Sequence, residues 1–223
     1  MNIKICDKMI IQGTESLTTL LHIISESLLT PVIIILVAFV VIVLLALGSF
    51  INEKFTRKVI KSDELQELIR NLSNSGSVEE MKVLVNNSNL FESQKNDLIK
   101  IINNYDIKSG ARKALASKIL EEEETKFIKK TSLTDILIRT GPVLGLLGTL
   151  IPLGPGLSSL GTGDINTLAQ ALIVAFDTTV VGVGVGALAY VISKYRKIWY
   201  EDDLATTDTV AEVIIENLNK LNY

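Results

Sequence analysis

The 223-residue chain carries 22 Lys and Arg against 25 Asp and Glu, a net charge of -3, so no basic surface argues for nucleic acid as a partner. Its single cysteine, Cys6, excludes an internal disulfide framework and a thiolate metal site of its own, and no zinc spacing, phosphate-binding loop or dinucleotide glycine pattern is present. The 48% hydrophobic content averages over three apolar blocks and a polar middle.

Residues 1–30 mix Lys4, Asp7, Lys8, Glu15 and Glu26 with apolar residues, and Leu17, Leu20, Leu21, Ile24 and Leu28 recur at helical spacing. A short amphipathic helix on the membrane surface is expected there, with His22 as an interfacial or packed side chain. Pro31 then opens a run that has no charge before Glu53, long enough for a first crossing that starts at the proline. Lys54, Arg57, Lys58 and Lys61 follow at once, Lys129, Lys130 and Arg139 precede the second apolar block, and Lys194, Arg196 and Lys197 follow the third. The connection between the last two blocks has Asp164 and no basic residue, so the positive-inside rule puts the N-terminus and that connection outside and the middle and C-terminus inside.

Within the polar middle, apolar residues at Leu65, Leu68, Ile69 and Leu72 predict a helix that Ser73 to Gly76 ends. Ser77 followed by Glu80 resembles a capping box, and a further helix is expected over 90–103. From Ala111 to Gly141 no Gly or Pro interrupts the chain, which predicts one long helix; Glu121 to Glu124 read as a solvated face with Glu122 paired to Lys126. Beyond the third block, Val210, Ile214, Leu218 and Leu221 share one helical face that should pack on the polar-region helices or on a neighbouring subunit, and Trp199 and Tyr200 read as interfacial anchors.

The informative stretch is 140–193. Thr140 to Gly163 has no charge, and Ile165 to Ser193 is interrupted only by Asp177. Both runs can cross a bilayer, yet they contain Thr149, Asp177, Thr178 and Thr179, which reads as a helical hairpin with an inner face that does more than touch lipid. Gly141 and Gly145, like Gly182 and Gly186, are four apart, giving each crossing a smooth strip for close helix approach. Pro142, Pro152 and Pro155 imply kinks, and irregular backbone is expected over 153–163. Thr179 suits a small-residue pore face together with Ala175, Gly182 and Gly186. Asp177, about 160° away around the helix, suits an intersubunit bond, a water-filled vestibule or a regulatory ion site. Three crossings enclose little by themselves, so a homo-oligomeric ring is the expected form.

The layout is that of an all-α integral membrane protein: an extracytoplasmic segment over 1–30, crossings over 31–51, 137–157 and 169–193, a helical cytoplasmic insert over 52–136, a short outer connection over 158–168 and a cytoplasmic helix over 194–223.

The segments GPVLGLLGTL, Gly141 to Leu150, and FDTTVVGVGVGALAY, Phe176 to Tyr190, resemble the two signature segments of the MotA/TolQ/ExbB proton-channel family, and the layout is similar to that of its ExbB and TolQ branch. The resemblance implies a homopentamer in the inner membrane around the single-span helices of a dimeric partner like ExbD, TolR or MotB. That partner supplies an aspartate that is protonated and released as ions pass. It also implies that Thr149 and Thr179 line the pore and that Gly145, Gly148, Gly182 and Gly186 allow close packing, to which the spacing adds Gly141; Asp177 is an extra acid that the family pattern does not assign, and the residues alone suggest it, with Thr178, as an ion or intersubunit polar site. No cofactor is implied; the ion is a proton, with sodium the alternative. The sequence departs from the pattern at Val174, where ExbB and TolQ relatives have an acid, and at Gly186 to Leu188, which replace Ala-Ile-Pro. The insert is also short for a flagellar torque-generating domain. A sodium-driven stator-like subunit and a non-conducting scaffold that binds partner helices are the competing readings. A membrane enzyme lacks any paired acid, Ser/His or metal cluster.

Overall fold

The computed structural model describes the backbone of residues 3–221 and side chains from Ser16 to Leu221, so the expectations for Lys4, Cys6, Asp7, Lys8 and Glu15 concern side chains outside the described residues. The chain is all helical: α1 (Ile3–Thr56), α2 (Ser62–Asn74), α3 (Val78–Asn87), α4 (Glu92–Asn103), α5 (Ser109–Ser159), a single 3-10 turn (Leu160–Thr162) and α6 (Ile165–Lys220). Ser16–Thr56, Ser109–Thr162 and Ile165–Lys220 are each long and apolar enough to cross a membrane. The chain divides into two compact units. An apolar unit takes its residues from 1–48 and 134–192, and a polar unit from 49–133 and 193–223, so α1, α5 and α6 contribute to both.

Proline is less disruptive than the sequence implies. α1 runs through Pro31 in place of a surface helix followed by a separate crossing. α5 includes Pro142, Pro152 and Pro155 and stays helical to Ser159, where irregular backbone was expected from 153 onward. Each proline removes one donor, but in an apolar stretch every other backbone group must still find a partner within the helix, so the ladder persists around the gap.

In the apolar unit α5 and α6 form an antiparallel hairpin closed by a tight turn. Gly163 reverses the chain at φ 76, a left-handed conformation that glycine adopts without a Cβ penalty, and its N–H donates to Leu160 O at 3.1 Å. Asp164 caps α6: Oδ1 accepts from Thr167 N at 3.1 Å and Oδ2 from Thr167 Oγ1 at 2.5 Å. These bonds hold the Asp164 carboxyl below the usual carboxylate range. α1 lies against the hairpin through Val32 and Leu36, which meet Ile151 with Leu144, Leu147 and Val181 around them.

The polar unit is built around a conventional core. Leu72, Met81, Val85, Leu98, Ile101, Ile102, Val210, Ile214 and Leu218 are fully buried in one cluster drawn from α2, α3, α4 and α6. The terminal face read from the sequence therefore packs on the helices of the polar region. Ser77 caps α3 by accepting from Glu80 N at 3.3 Å, while the Glu80 carboxylate accepts from Gly76 N, one residue before the position that a reciprocal box would use. Lys126 pairs with Glu123 at 2.5 Å, not with Glu122, and Glu123 is buried, so part of the acidic run faces inward.

Arg112 is the largest fully buried side chain; its guanidinium donates to the carbonyls of Tyr105 and Ile107 and to Asn219 Oδ1, closing the turn between α4 and α5. Asn217 does the same for the end of α2: its Nδ2 donates to Leu72 O at 2.7 Å and to Ser75 O and Oγ at 2.9 Å. Substituting Asn217→Leu removes the donor that satisfies these buried oxygens, and a loss of about 1–3 kcal/mol is expected. Denaturant titration of the purified chain against Asn71→Leu, at an exposed position of α2, measures it.

Candidate functional site

The hairpin seam is made from backbone. A Cβ on Gly141 would stand 2.9 Å from Gly182 O, one on Gly182 would stand 2.6 Å from Gly141 O, and one on Gly145 would stand 3.1 Å from Thr178 O. The contacts continue outward through Gly148, where a Cβ would meet Thr178 Cβ at 2.6 Å, and Gly156, where it would meet Ala171 at 2.7 Å; inward, one on Gly186 would meet the Pro142 ring at 2.9 Å. The two backbones thus approach one another along several turns, a spacing that any side chain at these positions would widen. Gly156 and Ala171 are part of this seam but fall outside the regular four-residue spacing that marks Gly141, Gly145, Gly182 and Gly186.

The polar residues sort around this seam. Thr178 is within it, 8% exposed, with Oγ1 donating to Val174 O at 2.9 Å or Ala175 O at 3.0 Å. Leu147 and Thr149 stand one residue to either side of Gly148, and Asp177 and Thr179 one residue to either side of Thr178, each about 100° around its helix. Leu147 and Val181 mark the flank that α1 covers. Asp177, four residues before Val181, shares that flank, whereas Thr149 and Thr179 turn to the opposite one. Both threonines are half-buried in the single chain and Asp177 is exposed. Thr149 Oγ1 donates to Leu146 O at 2.6 Å and Thr179 Oγ1 to Ala175 O at 3.0 Å, which spends each hydroxyl proton on its own helix and leaves the oxygen lone pairs as acceptors.

A second polar constellation lies within the polar unit, around an open cleft of about 610 Å³ lined by residues that include Glu53, Arg57, Lys130, Arg196, Tyr200 and Asp203. Arg196 Nε pairs with Glu53 Oε2 at 2.9 Å and its Nη2 donates to Ser49 Oγ at 3.0 Å; Tyr200 OH donates to Glu53 Oε1 at 2.7 Å. Arg57 Nη2 donates to Asp203 Oδ1 at 2.7 Å and to Trp199 O at 2.9 Å, with its guanidinium carbon 5.3 Å from both the Phe91 and Trp199 ring centroids. Burial pushes the Tyr200 hydroxyl up, aided by its bond to Glu53. It also raises the Asp203 carboxyl to about 6, against the opposing pull of Arg57.

Sequence reasoning treated Arg57 and Arg196 as flanking charges and Trp199 and Tyr200 as interfacial anchors. Tyr200 is instead 6% exposed and stacked on Phe127 at 4.5 Å. The missed signal is a polar stripe: Arg196, Tyr200, Asp203 and Thr207 recur at four, three and four residues on one face of α6, and Glu53 and Arg57 are four apart on α1. Among the described residues no group of three His, Cys, Asp or Glu side chains is arranged to hold a metal ion.

A family model, that of the MotA/TolQ/ExbB proton channel family, matches residues 49–208, which take in the two apolar helices packed backbone to backbone and most of the helical polar unit. The chain belongs to that family. No match is found among curated proteins. As a MotA/TolQ/ExbB member the chain has a channel-like or stator-like role in a membrane and is not an enzyme. The matched span covers the hairpin and the polar stripe alike, including Glu53, Arg57, Arg196, Tyr200 and Asp203.

The seam sets a sharp expectation. Gly182→Ala drives a Cβ into the Gly141 carbonyl and should destabilise the hairpin by about 1–3 kcal/mol, whereas Gly184→Ala, with open space around it, should leave stability unchanged or slightly raised. Thermal inactivation of the two variants in the same detergent separates them.

Proposed function

We propose that this MotA/TolQ/ExbB member is the ring-forming subunit of a proton-driven energising complex. Five copies surround the single-span helices of a dimeric partner, and ions passing between ring and partner drive motion that does work across the envelope. The observation that carries the reading is that Thr149 and Thr179, from two different helices, turn to the same flank of the hairpin, the one that α1 leaves uncovered. Directed at a shared axis, their hydroxyl oxygens offer acceptors for water or a cation in a dry passage, while the glycine seam holds the two rows at fixed spacing. Each charge that crosses supplies roughly 2.3 kcal/mol per 100 mV. The basic flanks orient the polar unit and C-terminus to the cytoplasm and the N-terminus outward.

In this arrangement Thr178 belongs to the seam and Asp177 to the flank shared with α1, so Asp177 is assigned to polar contacts with a neighbouring subunit and not to the axis. A single-span partner with an aspartate supplies the ionisable group that the threonine flank itself lacks. A sodium-driven complex uses the same acceptors.

The competing reading is a scaffold that binds partner helices without conducting; it is favoured by the same fact that both hydroxyl protons are already bonded within the chain. Replacing both threonines by valine removes two acceptors from the passage while keeping shape, and should lower partner-dependent ion flux and driven activity about tenfold or more with ring assembly intact. Flux measured in vesicles holding ring and partner, under an imposed proton or sodium gradient, tests this. Undiminished flux in the double variant would reject the threonine lining, and no flux from the intact complex would favour the scaffold.

A further inference from the structure

We propose that the cleft of the polar unit is a binding site for a phosphate group, seated at the N-terminus of α4 and held by Lys130, Ser93 and Arg57. This goes beyond ion passage along the threonine flank and does not depend on it.

α4 starts at the cleft without a side-chain cap. Its N-cap residue is Phe91, which has no acceptor to offer, so the N–H groups of the first turn stay open to an anion. Phe91, Ser93 and Gln94 of this turn all line the cleft. A second observation, on a different element, points to the same ligand. Arg57 lines the cleft with its side chain only 7% exposed; Nη2 is taken by Asp203 and the Trp199 carbonyl, and Nε has no partner. A buried donor without an acceptor is costly, and an anion seated against the guanidinium offsets that cost.

The charges of the lining leave room for an anion and none for a cation. Glu53 is bonded by Arg196 and Tyr200, and Asp203 by Arg57, so each lining carboxylate already has its guanidinium. Lys130 is the cation left over. Its ammonium lies 5.7 Å from the Phe127 ring centroid and 5.5 Å from that of Tyr200, with no carboxylate bonded to it among the described residues. The Ser93 hydroxyl and the Asn52 amide, also in the lining, make no bond within the described chain. These donors come from α1, α4 and α5, a spread that suits the tetrahedral oxygens of phosphate better than a planar carboxylate. The cleft, about 610 Å³ and open, is larger than a lone phosphate, so the group is borne by a larger molecule. Two sources carry this chemistry. Ser49 to Arg57 follow the first apolar run and Arg196 the third, where phospholipid headgroups meet a crossing helix, and a soluble phosphate ester reaches the same groups from water.

The test titrates the full chain, in phosphate-free detergent, with glycerol 3-phosphate and separately with dioctanoyl phosphatidylglycerol, using calorimetry and native mass spectrometry. One equivalent per chain is expected for at least one of them; uptake of the ester marks a soluble source, and uptake of the lipid alone marks a headgroup. Lys130→Gln removes the free ammonium, and Ser93→Asp puts a carboxylate into the first turn of α4, where it suits the helix but repels phosphate. Both positions are exposed, so the fold should survive, and each change should weaken binding about tenfold or more. Lys129→Gln, exposed on the same helix but outside the lining, should leave it unchanged. Failure of both ligands to bind, affinity equal to wild type in Lys130→Gln and Ser93→Asp, or dioctanoylglycerol binding as tightly as its phosphate-bearing counterpart would overturn the site.

Discussion

The apolar unit depends on one approach, that of the α5 backbone to the α6 backbone at Gly141, Gly145 and Gly182. In lipid there is no hydrophobic gain from bringing two apolar helices together, because tails are as apolar as leucine; what remains is dispersion and the shape that permits it. Where a Cβ would stand 2.6 Å from a carbonyl oxygen, the helices are already in contact through main chain, and the absence of a side chain is the structural feature. A backbone seam has a further consequence: it fixes rotation. With Gly148 and Thr178 held face to face, the residues one place along each helix cannot choose their direction, and Thr149 and Thr179 are turned together to the flank that α1 does not cover.

How much of this was legible in the sequence follows from which signals are local. Three apolar runs, the polar middle, the capping serine at Ser77 and the buried face of Val210, Ile214 and Leu218 are periodic or positional patterns that need no knowledge of neighbours, and the helices follow them. Proline misled because its local cost was weighed without its surroundings. At Pro31 and Pro152 one lost donor competes with a long ladder in a setting where unravelled backbone has no water to turn to, and the ladder prevails. The side of the hairpin on which Asp177 falls was beyond the sequence for another reason: the angle between Asp177 and Thr179 is intrinsic to a helix, but which flank α1 occupies is a tertiary fact, fixed by Leu147, Ile151 and Val181 meeting Val32 and Leu36.

The polar stripe on α6 shows the limit of reading charges by topology alone. Arg57 and Arg196 satisfy the positive-inside rule, and that sufficed to explain them until their partners were seen. Each is half of an ion pair between segments about 140 residues apart in the chain, with Glu53 and Asp203 as the other halves. Exposed pairs contribute little, but these guanidinium groups are 7% and 9% exposed at the side chain, and truncating one partner would leave the other charge buried and uncompensated. Such pairs are better at fixing a unique geometry than at adding net stability, which suits helices that must hold a register.

Within that stripe the two pairs are not equivalent. Glu53 accepts from both Arg196 and Tyr200, so each of its two oxygens has a donor. Asp203 has a single guanidinium bond to set against the burial of its carboxyl, and burial is the larger effect. Two carboxylates within one cleft thus differ in their partners: Glu53 ties α1 to both Arg196 and Tyr200 of α6, whereas Asp203 is bonded by Arg57 alone. The rise at Asp203 has burial as its first cause, opposed by Arg57 and reinforced by the neighbouring Asp202 and Glu53 carboxylates.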